Sequence, residues 1–356
     1  MLFVVHKGTC PKPLNLWPMQ YQFTFTSLAR NSGLMGAPFE TRPIPFSQWA
    51  TGDFIAVELM KPGSETARIE LHNGRMMDPL KGERLIGALG IRHATLEITG
   101  TWKEIHPNER FHLMTAAGLI GKVTSMSTFS PIPIQLDYLG HIIRNGGKCT
   151  MRNSVAPVVQ RSFTQPVVLM VGTSMSAGKT TTARIVTREL KSMGLRVIGA
   201  KVTGAGRYRD ILAVRDAGAV AVFDFVDAGL PSTVCPKEEY LPALKHMLSL
   251  MANEEADVAV VEIGASPLEP YNGDVAINYI RENICCTMLC ASDPYAVFGV
   301  MKSFGLQPDL ASGPATNTIA AVELVEKLCG VRALNLLNPS TRPALRKLLR
   351  ERLNLV

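Results

Sequence analysis

From about residue 165 onward, near-continuous apolar runs alternate with stretches of helical periodicity, and this alternation admits few architectures. "VVLMVG", "RVIGAKV", "AVFDFVDA", "DVAVVEIGA", "ICCTMLCAS" and "VRALNLL" read as strands. "YRDILAVRDAGA", "EEYLPALKHMLSLMANEEA" and "NTIAAVELVEKLCG" read as helices, as do residues 179–193, where Gly194 supplies the stop. Strands with no polar face need cover on both sides, which predicts an α/β fold with a parallel sheet between helical layers. Such a sheet takes its ligands beyond the carboxyl ends of its strands.

The preceding residues keep a different rhythm. Runs such as "GDFIAVELM", "ERLIGALG", "ATLEITGTW" and "IQLDYLGHI" follow one another with no long amphipathic helix between them. They predict a smaller β-rich domain of the partly closed barrel kind. "HNGR", between Leu71 and Met76, is a hairpin signal, because Asn-Gly readily takes the positive-φ geometry of a tight turn. Residues 1–45 are rich in Pro, Gly and isolated aromatics without a period. They are expected to form a poorly ordered extension, or to lie upstream of a true start at Met19 or Met35. The expected division is 1–45 extension, 46–160 β-rich domain and 161–356 α/β domain, and 356 residues suffice for two domains.

No apolar run reaches the roughly 18 residues of a membrane span. The short apolar N-terminus has no basic region before it and no convincing cleavage site, so a cytoplasmic protein is expected. Seven cysteines, an odd count spread thinly, argue against a disulfide framework. Cys285, Cys286 and Cys290 lack CxxC spacing and read as buried strand residues. Part of the net charge of +7 lies on an amphipathic terminal helix, where Arg342, Arg346, Lys347, Arg350 and Arg352 accompany Leu345, Leu348, Leu349 and Leu353. Without an aromatic-interleaved basic motif, this favours a solvated basic face and a small anionic ligand over nucleic acid.

"VVLMVGTSMSAGKTTTARIV" (167–186) places Gly178, Lys179 and Thr180 after a buried strand and at the first turn of a helix. Amides there lack intrahelical partners and share the positive end of the helix dipole, so the turn can surround a phosphate. In this reading Lys179 reaches the β and γ oxygens and Thr180 ligates Mg2+. Gly172, Thr173, Ser176, Ala177, Gly178 and Thr181 complete a nucleotide-binding P-loop. Five residues lie between Gly172 and Gly178 where four are usual, which puts Thr173 in the leading position. The plainer alternative is a Gly/Ser turn with a chance lysine. It leaves unexplained why small residues, a lysine and three threonines meet at one strand-to-helix junction.

"GTSMSAGKTTTA" resembles the loop of dethiobiotin synthetase and its relatives, whose Gly-Thr opening has the same longer spacing. The resemblance implies that Lys201, in "GAKVTGAG", contacts phosphate and substrate, followed by Thr203 and Gly204. It implies that Glu262, in "VVEIGAS", is a metal carboxylate, with a further acid between the two. Asp224 is favoured for that place, with Asp227 and Asp210 as competitors.

A longer resemblance covers about residues 50–335. Its residues are "GDF" at Gly52-Asp53, "IELHNGR" at 69–75 and "GIRHATLE" at 90–97. Here the chain is similar to a family long catalogued as a domain of unknown function, which joins a small β-rich domain to a P-loop domain. Ser174 stands where that family often has Asp, and Glu262-Ile263-Gly264-Ala265 replaces its usual Glu-Gly-Gln-Gly. Some members are described as D-glutamate N-acetyltransferases, so the resemblance does not imply nucleotide hydrolysis. The ParA/MinD-like ATPases carry a second lysine early in the loop; this chain has Thr173 and Ser174 there, which sets them aside.

The polar loop after Glu262 places Ser266 where substrate is expected, and Arg92 and His93 face the cleft if the β domain helps to close it. The expected function is that of an NTP-dependent transferase or ligase that binds ATP with Mg2+ and acts on a small anionic metabolite, a carboxylate or amino acid. Lys179 and Lys201 are its catalytic lysines, and Thr180, Asp224 and Glu262 hold the metal. An acetyl-CoA-dependent N-acetyltransferase and a nucleotide-gated module delivering a cofactor or metal are the alternatives. The expected partners are a small-molecule substrate and further copies of the chain, with no membrane. The absence of an Asn-Lys-x-Asp motif favours ATP over GTP.

Overall fold

The structure is a computed structural model and describes residues 23–106 and 109–355. Strands Val167–Gly172, Val197–Thr203 and Val258–Ile263 are buried at every position, as strands covered on both faces must be. They are central in a six-stranded parallel sheet. Its order is Ala221–Asp224, Val197–Thr203, Val258–Ile263, Val167–Gly172, Ile284–Cys290 and Leu310–Ser312. The α/β fold with a parallel sheet is therefore present. Register pairs Met170 with Glu262, and Lys201 with both Glu262 and Asp224, so the charged residues at the strand ends are neighbours across the sheet.

One strand is not where the sequence places it. "VRALNLL" touches the sheet through a bridge between Ala311 and Ala333, and Leu310–Ser312 is the edge strand. Asn335 turns the chain away, its side chain accepting from the Leu337 amide at 3.1 Å.

Helix α1, Lys179–Ser192, follows the P-loop and ends ahead of Gly194, whose φ of 88° suits a glycine stop. The terminal helix Arg342–Arg352 packs its leucines inward as its period demands. Its basic face is only partly solvated, because Arg342 and Arg346 donate to the buried Glu189 of α1 at 2.8 and 2.5 Å. Cys286 and Cys290 are buried in their strand. Among the described residues, no helix is long and apolar enough to cross a membrane.

In the β-rich part, strands Arg84–Leu89, Phe54–Lys61, Gln135–Arg144, Phe111–Thr115 and Leu119–Met126 pair in succession. A further pairing of Leu119 with Ala88 and Ile120 with Leu89 returns to the first strand and closes the ring. The "HNGR" hairpin is present, with Ile69 paired to Met77 and Gly74 at a φ of 83°.

The expectation of an unordered extension over 1–45 fails wherever it can be checked; residues 1–22 lie outside the described residues. Thr24–Phe25 pairs with Arg84–Leu89, Glu40–Arg42 pairs with Gln135–Arg144, and Leu28, Ala29 and Leu34 are buried. These apolar residues have no period because they fill the seam between two domains rather than one face of an element. Arg30 lies in that seam. Its guanidinium donates to Asp224 at 2.5 Å and to Asp227 at 2.8 Å, and stands 4.3 Å from the Tyr208 ring centre.

The hairpin binds the halves together a second time. Glu70, fully buried, accepts from the amides of Tyr208 and Arg209 at 2.8 and 2.9 Å. These are the first amides of helix α2, Tyr208–Asp216, so a carboxylate of the β domain caps a helix of the α/β domain. Gly74 is required nearby, since a Cβ there would stand 2.2 Å from Leu212 of α2.

Candidate functional site

The chain leaves strand Val167–Gly172 and folds over the start of α1 through a loop of small residues. Thr173 ties the loop to the neighbouring strand, its amide donating to the Cys290 carbonyl at 3.0 Å and its hydroxyl accepting from the Ser292 amide at 3.3 Å. Beyond it, the amides of residues 174–181 have no hydrogen-bond partner among the described residues. Thr182 is the first to close a helical bond, to the Gly178 carbonyl at 3.0 Å. A run of unpartnered amides before a helix is what an anion-binding turn provides. Gly178 makes the turn possible with a φ of 92°.

Lys179 is 1% exposed, and its ammonium donates to the Ser174 carbonyl at 2.5 Å. Burial pushes its pKa down, with Glu262 acting the other way. Gly172 gives the longer loop room for the lysine. A Cβ at 172 would stand 2.7 Å from Lys179 Cδ and 2.9 Å from its Nζ, so the leading glycine is the bed on which the lysine stem lies. Gly172→Ala is expected to displace that stem at a cost of about 1–3 kcal/mol. Affinity for a polyphosphate ligand should then fall roughly tenfold or more, and the melting temperature of the free protein should fall as well. Titration calorimetry with ATP checks this, and unchanged affinity would refute it.

Across the mouth of the loop, the Thr180 hydroxyl donates to Glu262 at 3.0 Å. Lys201, also buried, pairs with Asp210 of α2 at 2.6 Å. Burial alone would lower the Lys201 pKa, but Asp210 and Glu262 raise it overall, so this lysine stays charged. Burial raises the pKa of Glu262 against the pull of Lys201 and Lys179. Thr180, Lys201, Asp210 and Glu262 line one cleft of about 630 Å3 between the two parts of the chain. Its other wall includes Arg92, Glu97, Thr115 and Phe129 of the β-rich part. Ser176 of the loop donates to Glu97 at 2.8 Å, and the other oxygen of Glu97 accepts from Arg92.

Five residues expected at the site are outside the cleft lining. Asp224 is turned to Arg30 and Asp227, away from the cleft lining, so Asp210 takes its place near Thr180 and Glu262. The resemblance favours Asp224 as the acid expected between Lys201 and Glu262 along the chain; the cation that claims it comes from residue 30, nearly two hundred positions away. Thr203 is fully buried, and its hydroxyl accepts from the Gly264 amide at 3.1 Å, locking two strand ends. The Gly204 amide is bonded to Thr233 at 2.9 Å, and Ser266 is bonded within its own turn to Glu269 and Leu268. His93 contributes its amide to the Tyr271 hydroxyl at 2.8 Å, a contact between the domains.

Two contributors were not singled out as site residues. Glu97 closes the "GIRHATLE" segment just before strand Ile98–Thr101, and the contact with Ser176 brings it to the loop. Gly313 supports the loop from behind, since a Cβ there would stand 2.4 Å from the Ala177 carbonyl and its φ is 86°. The Ser-Gly-Pro stretch around it was the available signal.

A parallel sheet whose central strand feeds such a loop and helix makes an α/β P-loop domain, here with a β-rich N-terminal part. Residues 154–208 match the family model described as "Domain of unknown function (DUF1611_C) P-loop domain". Among solved structures, the chain is similar to a DUF1611 family protein from Anabaena variabilis, at 15% identity and a TM-score of 0.38 over 59% of this chain and 65% of that one. It is also similar to the signal recognition particle receptor FtsY from Elizabethkingia anophelis, at 12% identity and a TM-score of 0.36 over 52% of this chain and 61% of that one. HypB from Helicobacter pylori, solved in complex with nickel, aligns at 14% identity and a TM-score of 0.36 over 54% of this chain and 88% of that one. The chain thus spans less than two thirds of the length of the FtsY and DUF1611 structures. No curated protein matches it.

Proposed function

We propose that the protein is a Mg2+-dependent, ATP-binding enzyme that transfers or joins groups on a small anionic metabolite, a carboxylate or amino acid. The observation that supports it best is the run of unpartnered amides around buried Lys179, opening beside Thr180, Glu262, Asp210 and Lys201. Among the described residues, no three His, Cys, Asp or Glu side chains form a metal site by themselves. Mg2+ asks for less, since one or two carboxylates suffice when phosphate oxygens and water complete its shell. Thr180 and Glu262 fit that demand, with Asp210 nearby. Bound there, Mg2+ would neutralise charge on the phosphates. Lys179 leaves the Ser174 carbonyl for a phosphate oxygen and neutralises the transferring group. Lys201, kept charged by Asp210, orients the anionic acceptor. Positioning and fixed charge supply most of the acceleration such a transfer requires.

The test is a melting-temperature screen with ATP, GTP and acetyl-CoA, each with and without Mg2+. ATP with Mg2+ at about 100 times its dissociation constant should stabilise the protein by about 2.7 kcal/mol. Glu262→Gln should abolish the Mg2+-dependent part and leave a smaller shift from ATP alone. Stabilisation by acetyl-CoA and not by ATP would replace the proposal with an acyl transfer in which the loop holds the phosphates of CoA.

A further inference from the structure

We infer that the β-domain wall of the cleft binds a carboxylate through Arg92 and Thr115, and that the molecule carrying it has an apolar arm lying along Leu96, Phe129 and Ile132. This rests on the proposed function for the identity of the cleft and specifies the substrate within it. Arg92 is 8% exposed. Its Nη1 donates to the Met114 carbonyl at 2.5 Å and its Nη2 to Glu97, yet its Nε is buried without a partner among the described residues. Thr115, the residue after Met114, has a buried hydroxyl that is also unpartnered among the described residues. Both residues line the same cleft.

Buried polar atoms are nearly always satisfied, and two orphans beside one cavity point to an acceptor that enters it. An N–H and an O–H together suit a single carboxylate. Glu97 already shares the charge of Arg92, so a doubly charged phosphate would be repelled where a singly charged carboxylate is tolerated. On the rim, Leu96, Phe129 and Ile132 are 61%, 97% and 59% exposed. Three large apolar side chains left in water at the lip of a polar cleft fit a hydrocarbon or aromatic arm.

Calorimetry on the full chain with acetate, hexanoate, 3-phenylpropanoate and the corresponding amides tests this. Hexanoate and 3-phenylpropanoate should bind at least about tenfold more tightly than acetate, and each acid about tenfold more tightly than its amide. Arg92→Gln should erase the preference for acid over amide. Thr115→Val should weaken acid binding several-fold while melting at or above the temperature of the parent, because it deletes a hydroxyl that has no partner in the fold. Equal binding of acids and amides, no gain with chain length, or an acid preference that survives Arg92→Gln overturns the inference. So does the failure of every acid to bind. ATP titrations on the same samples keep the two readings apart. Carboxylate binding without ATP binding sinks only the nucleotide proposal, and ATP binding without carboxylate discrimination sinks only this one.

Discussion

Lys179→Ala should bind ATP about 100-fold more weakly than the parent and lose the ATP-dependent rise in melting temperature. Charge-assisted hydrogen bonds contribute about 1.5–3 kcal/mol each, and one or two lost from the phosphates account for that factor. The fold itself should survive. The ammonium is buried, its nearest partner is a neutral carbonyl, and burial works against its charge. Removing a desolvated charge from the free protein relieves a penalty that the ligand otherwise offsets. Lys179→Met keeps most of the stem and should melt at or above the parent temperature while binding as poorly as the alanine variant. Calorimetry and melting curves read both quantities. A Lys179→Ala protein that still bound ATP and turned over at the parental rate would remove the loop from the mechanism.

The second large effect is expected far from the cleft. Arg30 and Asp224 have side chains 6% and 1% exposed, and breaking such a pair from one side leaves a buried charge unpaired. Arg30→Ala should lose about 3–5 kcal/mol in urea unfolding. The loss should depend on pH with a definite sign. Burial, helped by Asp227, raises the Asp224 pKa to about 6 even with Arg30 present. An acid whose pKa is higher in the folded state than in the unfolded one binds its proton more tightly when folded. Its contribution therefore favours folding below the unfolded value, near 4, and weakens as pH rises through the folded value. Without Arg30 the folded value climbs further. The deficit of Arg30→Ala should thus be small at pH 5 and largest at pH 8. A deficit that shrinks as pH rises would show that Asp224 is not the group left stranded.

The parallel sheet was readable because its strands are apolar at almost every position, a pattern set by local sequence alone. The loop was readable for the same reason, since Gly178, Lys179 and Thr180 are contiguous and sit at one junction. Gly172 was harder. Its role depends on where the Lys179 stem lies, which spacing suggests but packing decides. The acid beside Thr180 and Glu262 could not be chosen by sequence because Asp210, Asp224 and Asp227 all lie at or just beyond the ends of strands of the same sheet. Arg30 separates them, and nothing in residues 23–45 advertises a cation destined for another domain. "VRALNLL" had the composition of a strand and met an edge already occupied by Leu310–Ser312. Glu97 and Thr115 acquire their meaning only when the β-rich part packs over the loop, the same condition on which the sequence places Arg92 at the cleft.

Glu70 has a consequence for how far this chain can be treated as two exchangeable modules. Its carboxylate finishes the first turn of α2, and the same helix carries Asp210, the partner of Lys201. A hybrid built by grafting a foreign barrel onto residues 161–356 would keep the sheet and the phosphate turn. It would leave the start of α2 loose and Lys201 without its anchor. In this architecture the hairpin around Glu70 sets the aim of a lysine encoded more than a hundred codons later.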